Sequence, residues 1–228
     1  MAKFIEAELQ HLKKELGEMW TLVYNQLDRV GEAVLTNNRE LAEQVLVRES
    51  RVNAFELKID SDIEDMIALY NPVGVDLRLV LAVSKINSNL ERLGDFAEGI
   101  ARFMRDCDMV VFDADLIHRL NLNEMIKEVL EMLYNAKQAM DEENIDMANS
   151  VFMKDNVVDE INAAAPHVLA QYIQKDPSST LFCLNMISVF RKLERAGDHI
   201  TNIAEEIVFY IDAKVLKHQG KAHKETTD

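Results

Sequence analysis

The sequence has few of the residues that end helices or cross-link chains. Its 228 residues include only 3 prolines, 7 glycines and 2 cysteines. Because proline and glycine interrupt helices and mark turns, their scarcity, together with 48% hydrophobic residues, indicates long helices with enough apolar surface for a core. Cys107 and Cys183 are far apart and lack metal-type spacing, which argues against a disulfide framework or a thiolate zinc site. We therefore predict an all-α protein from a reducing compartment.

Basic residues and long apolar runs are also scarce. The chain has 25 Lys and Arg against 40 Asp and Glu, a formal charge of −15. Phosphate contacts require clustered basic side chains, so nucleic acid is not an expected partner. No apolar run approaches the roughly 18 residues of a membrane span, and the N-terminal sequence lacks the apolar stretch of a signal peptide. The expected location is the cytoplasm.

One short segment occurs twice and organises the chain. Leu90–Ala101 reads LERLGDFAEGIA, and Leu193–Ala204 reads LERAGDHITNIA. On a helix, the Glu and the Asp of each copy lie four residues apart and project from the same face. An interior glycine costs a helix about 1 kcal/mol relative to alanine and often marks a close approach of another element. The chain is therefore predicted to be an internal duplication with a carboxylate pair in each half.

The spacing of apolar residues and the turn residues predict six helices. Their predicted bounds are 4–35, 39–70, 73–106, 115–141, 146–175 and 178–212. Pro166 falls inside the fifth helix, where it should bend or interrupt it. Since short turns join three long helices in each half, we predict two tandem three-helix bundles, residues 1–108 and 109–213, followed by a polar tail, 214–228.

The carboxylate pairs should meet further oxygen-bearing side chains on the preceding helices. The turn between these two helices contains Pro72 in the first half and Pro177 in the second. The carboxylate pair and the side chains on the preceding helix each lie about 20 residues from that turn, which is roughly 30 Å along facing helices. The candidate metal ligands are Glu49, Asn53, Glu91 and Asp95 in the first half and Asp155, Asp159, Glu194 and Asp198 in the second. Carboxylates this close repel unless a cation binds or basic side chains pair with them. Oxygen-only ligands favour Mg²⁺, Mn²⁺ or iron over zinc.

Two other interpretations remain open. Arg92 and Arg195 are adjacent to the carboxylates in sequence and could neutralise them in a purely structural, metal-free scaffold. Alternatively, the same clusters could serve a metal-dependent hydrolase, although no base or nucleophile is identifiable. Glu56 and Asp60 are also four residues apart, but they fall level with Lys85, so an ion pair is the expected arrangement for them.

The histidines contribute little to this pattern. His199 follows Asp198 and could reach a metal, but its counterpart in the first copy is Phe96. A Glu-x-x-His spacing occurs once, from Glu8 to His11, whereas a carboxylate-bridged di-iron bundle needs two such motifs. We therefore do not predict a di-iron oxidase.

Several segments carry a resemblance to a known family. They are Val52–Asp60, Pro72–Arg78, Lys85-Ile86 and the two Leu-Glu-Arg-x-Gly-Asp motifs, the second of which continues to Glu205. On these residues the chain resembles the PhoU family of phosphate-signalling regulators over nearly its whole length. The first copy departs from the family pattern, with Phe96 and Gly99 where the family tends to place His and Asn.

The resemblance implies two three-helix bundles, metal ions on the Glu/Asp-x-x-x-Asp motifs, and no catalytic residues. It also implies a negative regulator that links the ATPase of a phosphate ABC transporter to a sensor histidine kinase, and that reaches the membrane only through these partners. A homodimer is one of the assemblies it allows. A second set of candidate ligands comprises Glu56, Asp60, His199 and Asn202.

Overall fold

The structure is a computed structural model that describes residues 2–106 and 113–213, with side chains from residue 5 onward. These ranges contain seven α-helices, a 3-10 turn at Pro177–Ser179 and no strand, so the all-α prediction is confirmed. The helices are α1 (Ala2–Thr36), α2 (Arg39–Tyr70), α3 (Val75–Asp106), α4 (Ala114–Arg119), α5 (Leu122–Glu142), α6 (Ile145–Lys175) and α7 (Thr180–Asp212). None of these helices is long and apolar enough to cross a membrane. The predicted boundary at residue 108 and the predicted tail lie outside the described ranges.

Equivalent turns connect the first two long helices of each half. Asn37 and Glu143 both have a φ of 51°, in the left-handed region, and each precedes an asparagine that caps the next helix. The Asn38 side chain accepts hydrogen bonds from the backbone N–H groups of Glu40 and Leu41, which begin α2. Asn144 caps α6 in the same way. The duplication therefore extends to the turns, because these caps satisfy helix-terminal N–H groups that otherwise lack partners.

The predicted unbroken fourth helix is wrong, and so is an interruption of the fifth helix at Pro166, while a bend there stays a prediction. The predicted fourth helix breaks into α4 and α5, because Asn121 adopts the left-handed conformation with a φ of 50°. Pro166 does not end α6, which continues to Lys175. Pro166 is exposed, and on that face the carbonyl that loses its helical hydrogen bond can be solvated instead. Proline therefore removes one bond of α6 without ending the helix.

The helices form two three-helix bundles that share one apolar core. Helices α1, α2 and α3 pack against one another, as do α5, α6 and α7. The two bundles meet where α3 packs antiparallel on α7 and where α1 contacts α5. At the second contact, a Cβ atom on Gly31 would lie 2.6 Å from Ile126 Cγ2, so glycine is needed for the observed approach. This arrangement leaves the α2–α3 and α6–α7 pairs as equivalent surfaces of the two repeats.

Candidate functional site

The first carboxylate cluster lies between α2 and α3. Glu91 on α3 is within electrostatic range of Glu49 and Glu56 on α2, and of Asp95 one turn along its own helix. Asn53 also belongs to this group, because its side-chain amide donates a hydrogen bond to Glu49 Oε1. The structure therefore brings together all four of the first-half candidates, with Glu56 beside them.

The electrostatics of this cluster show that its charges repel. Burial raises the pKa of Glu91 above its ordinary value, and the nearby carboxylates of Asp95, Glu56 and Glu49 raise it further. The pKa of Glu56 is also raised, first by burial and then by Asp60. A raised carboxyl pKa means that the ionised form is less favourable here than in water. A cation placed among these oxygens would relieve that cost.

One basic side chain partly neutralises the first cluster. Arg92 Nη1 lies 3.1 Å from Asp95 Oδ2, and its Nε lies 3.6 Å from Glu91 Oε2. The Arg92 side chain is 56% exposed, so solvent screens these pairs and each contributes little to stability. The positive charge offsets the repulsion at Glu91, yet the pKa of that carboxyl remains raised. Arg92 alone therefore does not balance the cluster.

The expected ion pair between Lys85 and the Glu56–Asp60 pair is wrong. Lys85 Nζ instead lies 2.8 Å from Glu206 Oε2 on α7. Asp60 accepts a hydrogen bond of 3.0 Å from the side chain of Asn87, which is fully buried and also donates to the backbone carbonyl of Glu56. Residues two positions apart on a helix point in nearly opposite directions. Asn87 therefore faces α2 while Lys85 faces the second repeat.

The second cluster is built where α6 crosses α7. A Cβ atom placed on Gly197 would lie 2.8 Å from Asp155 Oδ1, so the Asp155 carboxylate lies against α7 within one turn of Glu194 and Asp198. Asp159 follows one turn along α6 and, like Asp155 and Glu194, is half-buried, whereas Asp198 is exposed. The structure thus places the four second-half candidates at one level of the α6–α7 pair.

The glycines of the two repeated motifs have the role expected from the sequence. Gly94 and Gly197 are both buried. A Cβ atom on Gly94 would lie 3.1 Å from Val52 Cγ1, just as one on Gly197 would meet the Asp155 carboxylate. Each glycine permits α3 or α7 to approach the preceding helix closely enough for side chains of the two helices to share one cluster.

His199 and Arg195 face the other repeat. His199 Nδ1 lies 2.8 Å from Asn89 Oδ1 on α3, and its ring packs 5.4 Å from that of Phe96. Burial lowers the pKa of His199, and Arg195 lowers it further. The Arg195 guanidinium itself lies 5.0 Å from the centre of the Phe96 ring. The structure therefore places His199 in the α3–α7 interface, and Asn202, one turn later, on the exposed surface of α7.

A third group of potential ligands was not predicted from the sequence. His11 and Glu15 on α1 and Asp62 on α2 each place one ligand atom within 4.8 Å of the other two. The four-residue spacing of His11 and Glu15 was the available signal. Asp62 could not be added to it without knowing the register of α1 against α2.

Comparison with known proteins shows similarity across both repeats. The PhoU domain family matches residues 16–104 and 122–207. A protein of Aquifex aeolicus named phosphate-specific transport system accessory protein PhoU homolog is 32% identical, over 93% of this chain and 95% of its own length. The Thermotoga maritima protein named PhoU homolog 1 is 29% identical, over 93% and 90%.

Solved structures give the same result. The crystal structure of PhoU from Pseudomonas aeruginosa is 30% identical, with a TM-score of 0.82 over 92% of this chain and 99% of that one. The crystal structure of the phosphate transport system regulatory protein PhoU from Streptococcus pneumoniae is 25% identical, with a TM-score of 0.83 over 92% of this chain and 98% of that one. The similarity therefore includes the helices that form both carboxylate clusters.

Proposed function

Because the chain belongs to the PhoU family, we propose that it regulates phosphate uptake and phosphate-responsive signalling without catalysing a reaction. Its relatives are named as accessory or regulatory proteins of phosphate transport systems, which supports a role in that process. The observation that carries the proposal is the presence of a carboxylate cluster on the same pair of helices in each repeat, with a raised pKa for Glu91 in the first. These clusters offer ligands for cations and no evident nucleophile.

In this proposal the protein is a cytoplasmic adaptor between two partners. One is the ATPase of a phosphate ABC transporter, and the other is a sensor histidine kinase. Divalent or iron ions would be held by Glu49, Asn53, Glu91 and Asp95 in the first repeat and by Asp155, Asp159, Glu194 and Asp198 in the second. Such ions supply positive charge that neutralises the two helix pairs, so that an acidic protein can present them to a partner.

The two clusters should differ in affinity. Asn53 in the first repeat occupies the place of Asp159 in the second, so the proposed ligands include three carboxylates in the first repeat and four in the second. Since cation affinity rises with the number of charged ligands, we expect the second cluster to hold its ion more tightly. Oxygen ligands suit Mg²⁺, Mn²⁺ and iron better than zinc.

The test measures binding to the transporter ATPase and to the sensor kinase from the same organism. The protein is immobilised, and each partner is titrated over a salt series, with Mn²⁺ and again with chelator. We expect binding in both arms, with a steeper salt dependence after chelation, because the uncovered carboxylates change the charge of the surface. The double variant Glu194→Ala/Asp198→Ala lacks two of the ligands, so its salt dependence should differ less between Mn²⁺ and chelator than that of the unaltered protein.

A matched control replaces acidic residues outside the clusters. Glu43→Ala/Glu64→Ala removes two negative charges from exposed positions of α2 and should leave the effect of Mn²⁺ on partner binding unchanged. Absence of binding to either partner at any salt would contradict the adaptor. If the protein also had a divalent-dependent phosphatase activity that disappeared in Glu194→Ala/Asp198→Ala, the clusters would belong to a hydrolase.

A further inference from the structure

His11, Glu15 and Asp62 lie together away from both carboxylate clusters. His11 and Glu15 are one turn apart on α1, and Asp62 faces them from α2. One ligand atom from each lies within 4.8 Å of the others, and His11 Nε2 is 3.3 Å from Glu15 Oε1. Residues of the first repeat correspond to residues 106 positions later in the second, as Val52 does to Val158. The counterpart of Asp62 is therefore Val168. This group therefore belongs to the first repeat alone.

Two carboxylate oxygens in this group are buried and lack a hydrogen-bond donor. The Glu15 side chain is only 5% exposed. Its Oε1 atom pairs with Lys58 and His11, but its Oε2 atom is buried without a hydrogen-bond partner. Asp62 Oδ2 is likewise buried without a hydrogen-bond partner. A buried carboxylate oxygen with no donor is costly, so these two atoms indicate that a positively charged or donating group belongs beside them.

An opening beside the group leads to solvent. A cavity of about 150 Å³ is lined by His11 and Asp62, together with the acidic side chains of Glu8 and Asp65. This volume accommodates an ion and several water molecules, since a water occupies roughly 30 Å³ in the liquid. These two further carboxylates would attract cations. His11 and Asp62 are thus accessible from the cavity, with two more acidic side chains beside them.

We propose that His11, Glu15 and Asp62 form a binding site for a divalent first-row transition metal of the zinc class. One imidazole and two carboxylates are the donors that zinc accepts, with a water completing its four ligands. Glu15 and Asp62 each offer a carboxylate oxygen, and His11 offers a ring nitrogen. Lys58 is 54% exposed, so its side chain can remain on Oε1 or move into solvent as the ion enters. This donor set differs from the oxygen ligands of the two repeated clusters.

The test uses Zn²⁺ alone as the ligand of the full-length protein. The parent for all comparisons carries His218→Ala/His223→Ala, which removes the two imidazoles that lie beyond residue 213. Titrations are made with excess Mg²⁺, which competes for the oxygen clusters. His11→Gln and Asp62→Asn should each weaken Zn²⁺ binding by about tenfold or more, since even residues that only support a ligand contribute 10- to 100-fold. His167→Gln removes an exposed imidazole on α6 and should have no effect.

Two further readouts identify the nitrogen ligand. Protons compete with Zn²⁺ for a nitrogen ligand, so Zn²⁺ binding should weaken as the solution is acidified, and His11→Gln should reduce this dependence. Bound Cu²⁺ should show nitrogen coupling in its electron paramagnetic resonance spectrum that His11→Gln removes. The thermal unfolding of each variant verifies that it folds. Equal Zn²⁺ affinities for the parent, His11→Gln and Asp62→Asn, or no Zn²⁺ binding by the parent, would overturn the proposal.

Discussion

The glycines of the repeated motifs should respond in opposite directions to the same substitution. Alanine in place of a helical glycine stabilises the helix by about 1 kcal/mol where its methyl group has room. At Gly94 the new Cβ atom would lie 3.1 Å from Val52 Cγ1, and at Gly197 it would lie 2.8 Å from Asp155 Oδ1. The two obstacles differ in how easily they can move, and that difference decides the sign.

At Gly94 the neighbour is rigid. Val52 is β-branched and 1% exposed, so a methyl group forced against it disturbs the core, and such overpacking costs about 1–3 kcal/mol. After subtracting the gain in helix propensity of about 1 kcal/mol, Gly94→Ala should destabilise the protein by roughly 1 kcal/mol. For a chain of this size, this lowers the melting temperature by about 2–4 °C.

At Gly197 the neighbour is the end of a half-buried polar side chain. The Asp155 carboxylate can rotate away, and the next atoms, Val158 Cγ1 and Met132 Cε, are at 3.6 and 3.7 Å, in ordinary contact. Gly197→Ala should therefore be neutral or stabilise the metal-free protein by up to about 1 kcal/mol. Because Asp155 is moved, the same variant should bind Mn²⁺ more weakly.

Gly17→Ala is the matched control, since a methyl group on this α1 glycine would meet no atom within 4 Å beyond the local helix backbone and should give the full gain in helix propensity. Urea denaturation in chelator measures all three variants, and Mn²⁺ titration follows for each. A Gly94→Ala protein as stable as Gly17→Ala would refute the tight contact with Val52. A Gly197→Ala protein with unaltered Mn²⁺ affinity would refute the placement of Asp155 as a ligand.

Three further predictions follow from individual side chains. Burial and neighbouring carboxylates raise the pKa of Glu91, so its ionisation opposes folding as the pH rises above about 4.5. Glu91→Gln should therefore raise the urea midpoint at pH 7 in chelator but not at pH 4. Burial lowers the pKa of His199, so the neutral ring contributes stability that is present above about pH 6.5 and is lost as the pH falls through the lowered value. The urea midpoint should therefore change less between pH 5 and pH 7 for His199→Gln than for the unaltered protein. Lys85→Met leaves the Glu206 carboxylate, 9% exposed, without its cation, and thermal unfolding should show a loss of about 1–3 kcal/mol.

The helices and their pairing could be predicted because local patterns specify them. Apolar spacing and turn residues define the long helices, and equal distances from Pro72 and Pro177 define which carboxylates share a level. The break at Asn121 could not be predicted in this way. Asparagine is compatible with both a helix and the left-handed conformation, so the sequence does not choose between them; in the fold Asn121 is left-handed and Leu120 and Leu122 on either side are both buried.

The direction of side chains on α3 and α7 was less predictable. Each of these helices packs on its own bundle and on the other repeat, so each has two buried faces and periodicity does not say which neighbour a polar residue meets. Lys85 and His199 therefore face the opposite repeat, whereas the sequence suggested partners within their own half. The group of His11, Glu15 and Asp62 needed the register of α1 against α2 as well.

The most direct test of the central claim is a cation titration of chelator-stripped protein. We expect Mn²⁺ to bind more tightly to the second cluster than to the first, and to raise the melting temperature as it binds. Glu194→Ala/Asp198→Ala should abolish the tighter step and keep the fold, whereas Glu91→Ala/Asp95→Ala should abolish only the weaker one. If metal content and melting temperature are unaffected by chelator and by added Mn²⁺, Mg²⁺ or iron, the carboxylates would belong to a metal-free scaffold, and the claim would be contradicted.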